Sequence, residues 1–163
     1  MDLSVRHICR GPNHREEHQD HEGEVWCQGE LIHSDGDVNA DSLQKIGAVG
    51  YCFGAKYVVR FLKPGQVDVG YCAHPSFVED KELEAIKGPL AISAAETDHI
   101  FPTEKRHKSE EILKEVKQPY QINLYSGVEH GFAVRGDPKV RQTVYAKESA
   151  FLQALQWFEE HLK

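Results

Sequence analysis

The chain has 163 residues, of which 40% are hydrophobic, and a formal net charge of −7. This length suits one domain with a sizeable core, and the charge argues against nucleic acid or an anionic membrane as a partner. No run is long and apolar enough to cross a bilayer, and the N-terminus lacks the apolar core of a secretory signal. The four cysteines show no tight pairing pattern, which predicts reduced thiols in a cytoplasmic protein.

Residues 1–44 form a polar leader with weak hydrophobic periodicity. We expect it to be poorly ordered or unrelated to the rest, with room for one short strand over residues 25–32. A metal site is the alternative, since His14, His18 and His21 share one face of a helix. Cys9 or Cys27 would complete four ligands, although no tight ligand pair supports this.

Strand and helix patterns alternate regularly over residues 45–163. Strands are predicted over residues 46–51, 66–73, 90–95 and 120–125, and helices over 55–62, 79–86, 102–116 and from 138 onward. The final helix, capped by Asp137-Pro138, repeats apolar residues at helical spacing: Val144, Phe151, Leu155, Phe158 and Leu162. The fold class is therefore α/β, with a mostly parallel sheet of about four strands flanked by helices.

Cys52 lies at the joint between the first of these strands and its helix, flanked by Gly50 and Gly54. Gly-x-Cys-x-Gly is the cysteine form of the nucleophile elbow, a sharp turn that exposes one side chain. We expect both glycines to be needed because the turn leaves no room for Cβ atoms. The helix N-terminus would favour a thiolate at Cys52. A packed core thiol is the alternative.

Three loops after predicted strands hold Cys52, Asp98 and His130. Loops at the carboxyl ends of parallel strands share one edge of the sheet, so these side chains are expected to meet. The order nucleophile, acid, histidine is that of α/β-hydrolases. Glu96 is a rival for the acid, and Cys72 is predicted to be a core thiol because it lies within a strand.

The sequence resembles the dienelactone hydrolase family, and its fungal branch in particular, from about residue 45 to residue 163. The matching segments are Gly50-Tyr-Cys-Phe-Gly-Ala-Lys56, His74-Pro-Ser76, Glu96-Thr-Asp-His-Ile-Phe-Pro102 and Glu129-His-Gly-Phe132. The resemblance implies hydrolysis of ester or lactone bonds of small molecules, similar to that of carboxymethylenebutenolidase, without a metal or an organic cofactor. It implies a triad of Cys52 as nucleophile, His130 as base and Asp98 as acid.

Further site residues are expected around this triad. The N–H of Phe53 would donate to the oxyanion, and Arg135 would meet a substrate carboxylate as an arginine does in bacterial members. Tyr51, His74 and Phe132 are predicted to contact substrate.

Nothing in residues 1–44 matches the N-terminal half of that family, so residues 45–163 resemble a C-terminal part of its domain and the chain resembles a truncated member. That half would supply the first strands and a second oxyanion donor, and its loss predicts impaired hydrolysis. The alternative function is a catalytically silent half-domain that binds a partner chain. In either case an open sheet edge would favour oligomers.

Overall fold

The computed structural model describes residues 31–32 and 45–163 of the chain. The strands are β1 (Leu31–Ile32), β2 (Gly47–Tyr51), β3 (Val69–Ala73), β4 (Leu90–Thr97) and β5 (Tyr120–Glu129). The helices are α1 (Gly54–Phe61), α2 (Asp80–Glu84), α3 (Thr103–Val116), α4 (Phe132–Arg135) and α5 (Arg141–His161). The suggested metal site of the leader, with Cys9, Cys27 and its histidines, lies outside the described residues.

The five strands form one sheet in the order β1-β2-β3-β4-β5. Strands β2 to β5 are parallel, so the predicted four-stranded parallel sheet is confirmed. Strand β1 is antiparallel to β2, pairing Leu31 with Ala48 and Ile32 with Gly47. Because β2 to β5 run in one direction, the loops that follow them lie at the same edge of the sheet.

Apolar side chains fill both faces of this sheet. Helices α1, α2 and α3 cover one face through a cluster that includes Val58, Leu62, Leu90, Ile92 and Leu113. Helix α5 covers the other face, where Trp157 and Phe158 pack against residues of β2 and β3. Burial of each large apolar side chain of this kind stabilises the fold by roughly 1.5–3 kcal/mol. This packing holds the ends of the strands in place.

The final helix begins later and faces the sheet differently than the sequence predicts. Asp137 does not cap it: its carboxylate accepts the N–H of Lys139 at 2.8 Å, in a turn that ends before the helix starts at Arg141. Phe151 was expected on the inner face but is 58% exposed. The small residues Ala146, Ala150 and Ala154 face inward instead, which lets the helix approach the sheet closely.

Two further differences lie on either side of His130. Residues 126–129, expected in a loop, extend β5 past an irregularity in β4 and pair Glu129 with Thr97. The short helix α4 was not predicted at all, because four residues are too few to show helical periodicity. No helix of the described residues is long and apolar enough to span a membrane.

Candidate active site

Cys52 occupies a strained turn between β2 and α1. Its backbone φ is +49°, in a region that residues other than glycine rarely adopt. A Cβ atom at Gly50 would lie 2.7 Å from the backbone of Gly54 and Ala55, so the predicted need for glycine is confirmed there. The prediction is wrong for Gly54, whose Cβ would meet nothing within 4 Å because it points away from the strand. The turn thus places Cys52 at the end of β2, where its side chain is half-buried.

His74 holds the turn from the neighbouring strand. Its backbone has a φ of +37°, and its side chain is fully buried. The ring nitrogen Nδ1 lies 3.3 Å from Cys52 Sγ, whereas Nε2 has no hydrogen-bond partner within the part of the chain that the structure describes. The N–H of Ser76, two residues later, donates to the carbonyl of Cys52 at 2.9 Å. The loop after β3 therefore fixes both the backbone and the sulfur of Cys52.

His130 and Asp98 form a close pair at the ends of β5 and β4. His130 Nδ1 lies 2.7 Å from Asp98 Oδ2, and the Asp98 side chain is fully buried. The other carboxylate oxygen of Asp98 accepts the N–H groups of Ile100 and Phe101, both at 2.9 Å. These bonds fix the carboxylate, which in turn orients the imidazole ring with Nε2 toward Cys52.

Glu96 lies elsewhere, although it is close to Asp98 in sequence. Its carboxylate accepts the N–H of Gly127 at 2.7 Å, on the exposed side of the two strands. The structure thus brings Asp98, and not Glu96, to His130. Cys72 is also separate from the site, since it is fully buried and its sulfur contacts the carbonyl of Ala55 at 3.8 Å.

The charges of the site favour a thiolate paired with an imidazolium. Partial burial alone would raise the pKa of Cys52, but hydrogen bonds and charges from His130 and His74 outweigh it and lower this pKa to about 6. The hydrogen bond from Asp98, followed by that from Cys52, raises the pKa of His130 to about 9. Burial opposes the ionisation of Asp98, yet His130 and the two N–H donors lower its pKa below the usual value. Cys72 behaves in the opposite way, because burial without a charged neighbour raises its pKa.

Arg135 and Phe132 reach the site from α4. Arg135 is exposed, and its Nη2 lies 3.9 Å from Cys52 Sγ. A Cβ atom at Gly131 would lie 3.3 Å from the same guanidinium nitrogen, so glycine leaves room for Arg135 to lie back over the loop. Phe132 is buried and packs edge-on against His74, with 5.5 Å between ring centroids. His130, Phe132 and Arg135 line a hollow of about 300 Å³.

Tyr51 and Phe53 flank Cys52 in sequence but point to different surroundings. Tyr51 lines a cavity of about 440 Å³ between the sheet and the start of α5, and the lining does not include Cys52, Asp98 or His130. Phe53 precedes α1, where the first N–H groups of a helix have no partner within the helix. The role of the Phe53 N–H as an oxyanion donor stays a prediction. The Tyr51 side chain does not line the hollow of His130, and neither does Cys52, but the Tyr51 ring lies 6.1 Å from that of His74.

Ser76 is a site residue that sequence reasoning missed. Its hydroxyl lies 3.4 Å from His130 Nε2, the nitrogen that faces Cys52. It is nearly fully buried, with 3% of its surface exposed. The signal was its position directly after β3, in the same loop as His74, at the edge of the sheet where reactive residues collect.

Comparison with known proteins gives a family match and several relatives. The model described as the Dienelactone hydrolase family matches residues 28–162. Hydrolase tropI of Talaromyces stipitatus is 67% identical over 120 residues, which are 74% of this chain and 47% of that protein. Dienlactone hydrolase 1 of Gibberella moniliformis is 36% identical over 120 residues, 73% of this chain and 46% of that protein. The chain thus spans about half the length of the curated relatives it matches.

The fold also has solved counterparts. A putative dienelactone hydrolase from Klebsiella pneumoniae superposes with a TM-score of 0.61 at 13% sequence identity. The alignment covers 69% of this chain and 51% of that one. At such low identity the likeness concerns the fold, which is that of the α/β-hydrolases.

Proposed function

This chain belongs to the dienelactone hydrolase family, and on that premise we propose that it hydrolyses a small ester or lactone by acyl transfer to Cys52. The observation on which the proposal rests is the pairing of His130 with buried Asp98 at 2.7 Å, beside the Cys52 sulfur. Sulfur, imidazole and carboxylate in this order form the arrangement that activates a nucleophile.

The pKa values indicate where the proton starts. With the pKa of Cys52 at about 6 and that of His130 at about 9, the resting pair at neutral pH is a thiolate and an imidazolium. The thiolate attacks the carbonyl carbon, and His130 gives its Nε2 proton to the departing alkoxide. Neutral His130 then takes a proton from water, whose hydroxide attacks the thioester and restores the thiolate with release of the acid.

The negative oxygen of the tetrahedral intermediate needs hydrogen-bond donors. We assign this role to the N–H of Phe53, the residue after the nucleophile. Among the described residues we find no second donor to assign, and one donor is worth about 10²–10³ in rate. We therefore expect slow hydrolysis of simple esters by this chain.

Arg135 defines the substrate class within this proposal. An exposed guanidinium 3.9 Å from the nucleophile can pair with a carboxylate on the substrate. Ser76 contacts His130 at 3.4 Å, and we propose that it holds the ring against rotation. Phe132 and His74 form the wall behind the sulfur.

The cytoplasmic location is a prediction from reduced cysteines, and Cys52 and Cys72 are free thiols in the described part of the chain. Subcellular fractionation tests this location.

The boundary between a leader of residues 1–44 and a domain of residues 45–163 is a prediction from the change in sequence pattern. Limited proteolysis tests this boundary.

The test of the proposed function is hydrolysis of p-nitrophenyl acetate and of a five-membered enol lactone by the full chain. We expect slow turnover that Cys52→Ala abolishes and that Cys72→Ala leaves unchanged, since Cys72 is a core thiol away from the site. Turnover that survives Cys52→Ala would overturn the proposal.

The second candidate is a catalytically silent half-domain that binds another chain. It is favoured by the short β1, whose two residues in the described part of the chain pair with Gly47 and Ala48 of β2. An unpaired strand edge attracts another strand. Folded protein without turnover on either substrate, together with a stable complex in light scattering, would favour this candidate over the enzyme.

A further inference from the structure

Three potential metal ligands converge at the candidate active site. One sulfur or ring nitrogen from each of Cys52, His74 and His130 lies within 4.8 Å of the other two. In a tetrahedral zinc site, Zn–S bonds of about 2.3 Å and Zn–N bonds of about 2.0–2.1 Å place sulfur and nitrogen roughly 3.5 Å apart. Cys52 Sγ and His74 Nδ1 are already 3.3 Å apart. A small contraction around His130 would complete three corners of a tetrahedron.

The surroundings of the His130 ring suit metal binding. His130 Nδ1 contacts Asp98 at 2.7 Å, which is the carboxylate–histidine arrangement that orients a ligating ring. The fully buried ring of His74 points Nδ1 at the sulfur, while its Nε2 has no hydrogen-bond partner in the described part of the chain. Among the described residues, the sulfur is therefore the hydrogen-bond contact of the His74 ring. A metal ion bound there would take up the lone pair of Nδ1 and leave the Nε2–H of His74 without an acceptor in this part of the chain.

We propose that Cys52, His74 and His130 bind one thiophilic divalent cation, Zn²⁺ in particular, with a fourth position open to water, and that the bound ion silences the nucleophile. Binding leaves the sulfur as a thiolate ligand and releases the Nε2 proton of His130 to solvent. His74 binds as a neutral imidazole through Nδ1, with its single proton on Nε2. The silencing rests on the proposed function, whereas the binding itself does not. The ion is an inhibitor in this proposal and not a cofactor of hydrolysis.

The ligand set and its neighbours predict a clear selectivity. One thiolate and two imidazoles favour Zn²⁺ over Mg²⁺ and Ca²⁺, which prefer oxygen ligands. Arg135 opposes binding, because its guanidinium lies 3.9 Å from the sulfur and repels a second cation. Since Arg135 is exposed, it can swing away into solvent. Its removal should therefore tighten metal binding.

The experiment measures binding without substrate. The protein used is a full-chain variant in which five leader residues are replaced by Ala. This removes the alternative metal site that the sequence suggests for the leader, with Cys9, His14, His18, His21 and Cys27. After dialysis against EDTA this variant is titrated with Zn²⁺ by calorimetry and with Co²⁺ by absorption spectroscopy. We expect one ion per chain and a sulfur-to-cobalt charge-transfer band in the near ultraviolet. Mg²⁺ should produce neither signal.

Variants locate the site. Cys52→Ala should remove the charge-transfer band, and Asp98→Asn should weaken Zn²⁺ binding by about 10–100-fold through the orientation of His130. Arg135→Met should strengthen binding. Cys72→Ala, in the core, and His107→Ala, exposed on α3, are controls that should leave it unchanged. A Cys52→Ala protein that binds Zn²⁺ as tightly as its parent would overturn the proposal. So would the absence of any binding in folded protein.

Inhibition of hydrolysis by the bound ion is tested separately from binding. If the chain hydrolyses p-nitrophenyl acetate, saturating Zn²⁺ should abolish that activity and EDTA should restore it. Full activity at saturating Zn²⁺ would overturn the inhibition. If the chain binds the ion but shows no hydrolysis, the metal site stands and the proposed function fails.

Discussion

The Nδ1 atom of His74 lies 3.3 Å from the sulfur of Cys52, so the thiol contacts a buried imidazole in addition to His130. Both rings lower the pKa of the thiol, to about 6. The ring of His74 cannot turn away, because Phe132 packs against it and the strand end holds its backbone. The thiolate is thus stabilised by two histidines that the chain supplies from different loops.

The first prediction concerns the pH dependence of Cys52 alkylation by iodoacetamide. The thiolate reacts, so the rate should fall as the pH drops below about 6 and stay high at neutral pH. His74→Leu removes one stabilising ring and should move the midpoint upward. Mass spectrometry of the labelled peptide gives the rate at each pH. Cys72 is the internal control, and its labelling before Cys52 in folded protein would contradict the assignment.

The second prediction separates Asp98 from Glu96, the rival for the triad acid. His130→Ala should reduce esterase turnover by about 10²–10⁴-fold, because it removes the proton-transfer group. Asp98→Ala should also suppress turnover strongly, since it releases the ring of His130. Glu96→Ala is the matched control, because that carboxylate contacts Gly127 instead. Loss of turnover in Glu96→Ala with activity retained in Asp98→Ala would reassign the acid.

The third prediction tests Arg135 with paired substrates. Arg135→Met should raise KM for an ester that has a carboxylate group and change KM little for the neutral p-nitrophenyl acetate. The reason is that methionine keeps the flexible unbranched stem of the side chain but lacks the guanidinium group and cannot pair with a carboxylate. Initial rates over a range of both substrates provide the comparison. Equal changes for the two substrates would mean that Arg135 acts on the site in general.

The fourth prediction compares the two glycines beside Cys52. Gly50→Ala should lower the free energy of unfolding by about 1–3 kcal/mol, because its Cβ would lie 2.7 Å from the backbone of Gly54 and Ala55. Gly54→Ala should keep or raise stability by up to about 1 kcal/mol, since alanine favours the helix and meets open space. Urea unfolding followed by circular dichroism measures both. A greater loss of stability in Gly54→Ala than in Gly50→Ala would contradict the assignment of the close backbone contact to Gly50.

The fifth prediction concerns the edge of the sheet at β2. Among the described residues, β1 pairs with Gly47 and Ala48 of β2, and we expect the remainder of this edge to associate with another chain. We expect size-exclusion chromatography with light scattering to show an oligomer. The second measurement compares the rate of ester hydrolysis with that of one of the relatives named above. A stable monomer that turns over ester as fast as that relative would refute both the association and the expected slow hydrolysis.

The sequence was sufficient for the class of fold and for the residues of the candidate triad. Local pattern decides the strands of this sheet, since buried parallel strands read as short apolar runs between glycines and prolines. The order of Cys52, Asp98 and His130 after three such strands then determines that they share one edge. This conclusion requires no knowledge of tertiary contacts, because the carboxyl ends of parallel strands lie at the same edge of the sheet.

Tertiary structure alone decided which neighbours complete the site. Ser76 and His74 reach His130 and Cys52 because β3 ends between β2 and β4, and the sequence contains no periodic signal for such a contact. Asp98 rather than Glu96 meets His130 because Asp98 follows the end of β4, where the N–H groups of Ile100 and Phe101 fix its carboxylate. The carboxylate of Glu96 instead accepts the N–H of Gly127. Phe151 faces outward because three alanines pack more closely on the sheet. Such choices depend on the packing of distant segments, which local patterns of hydrophobicity do not encode.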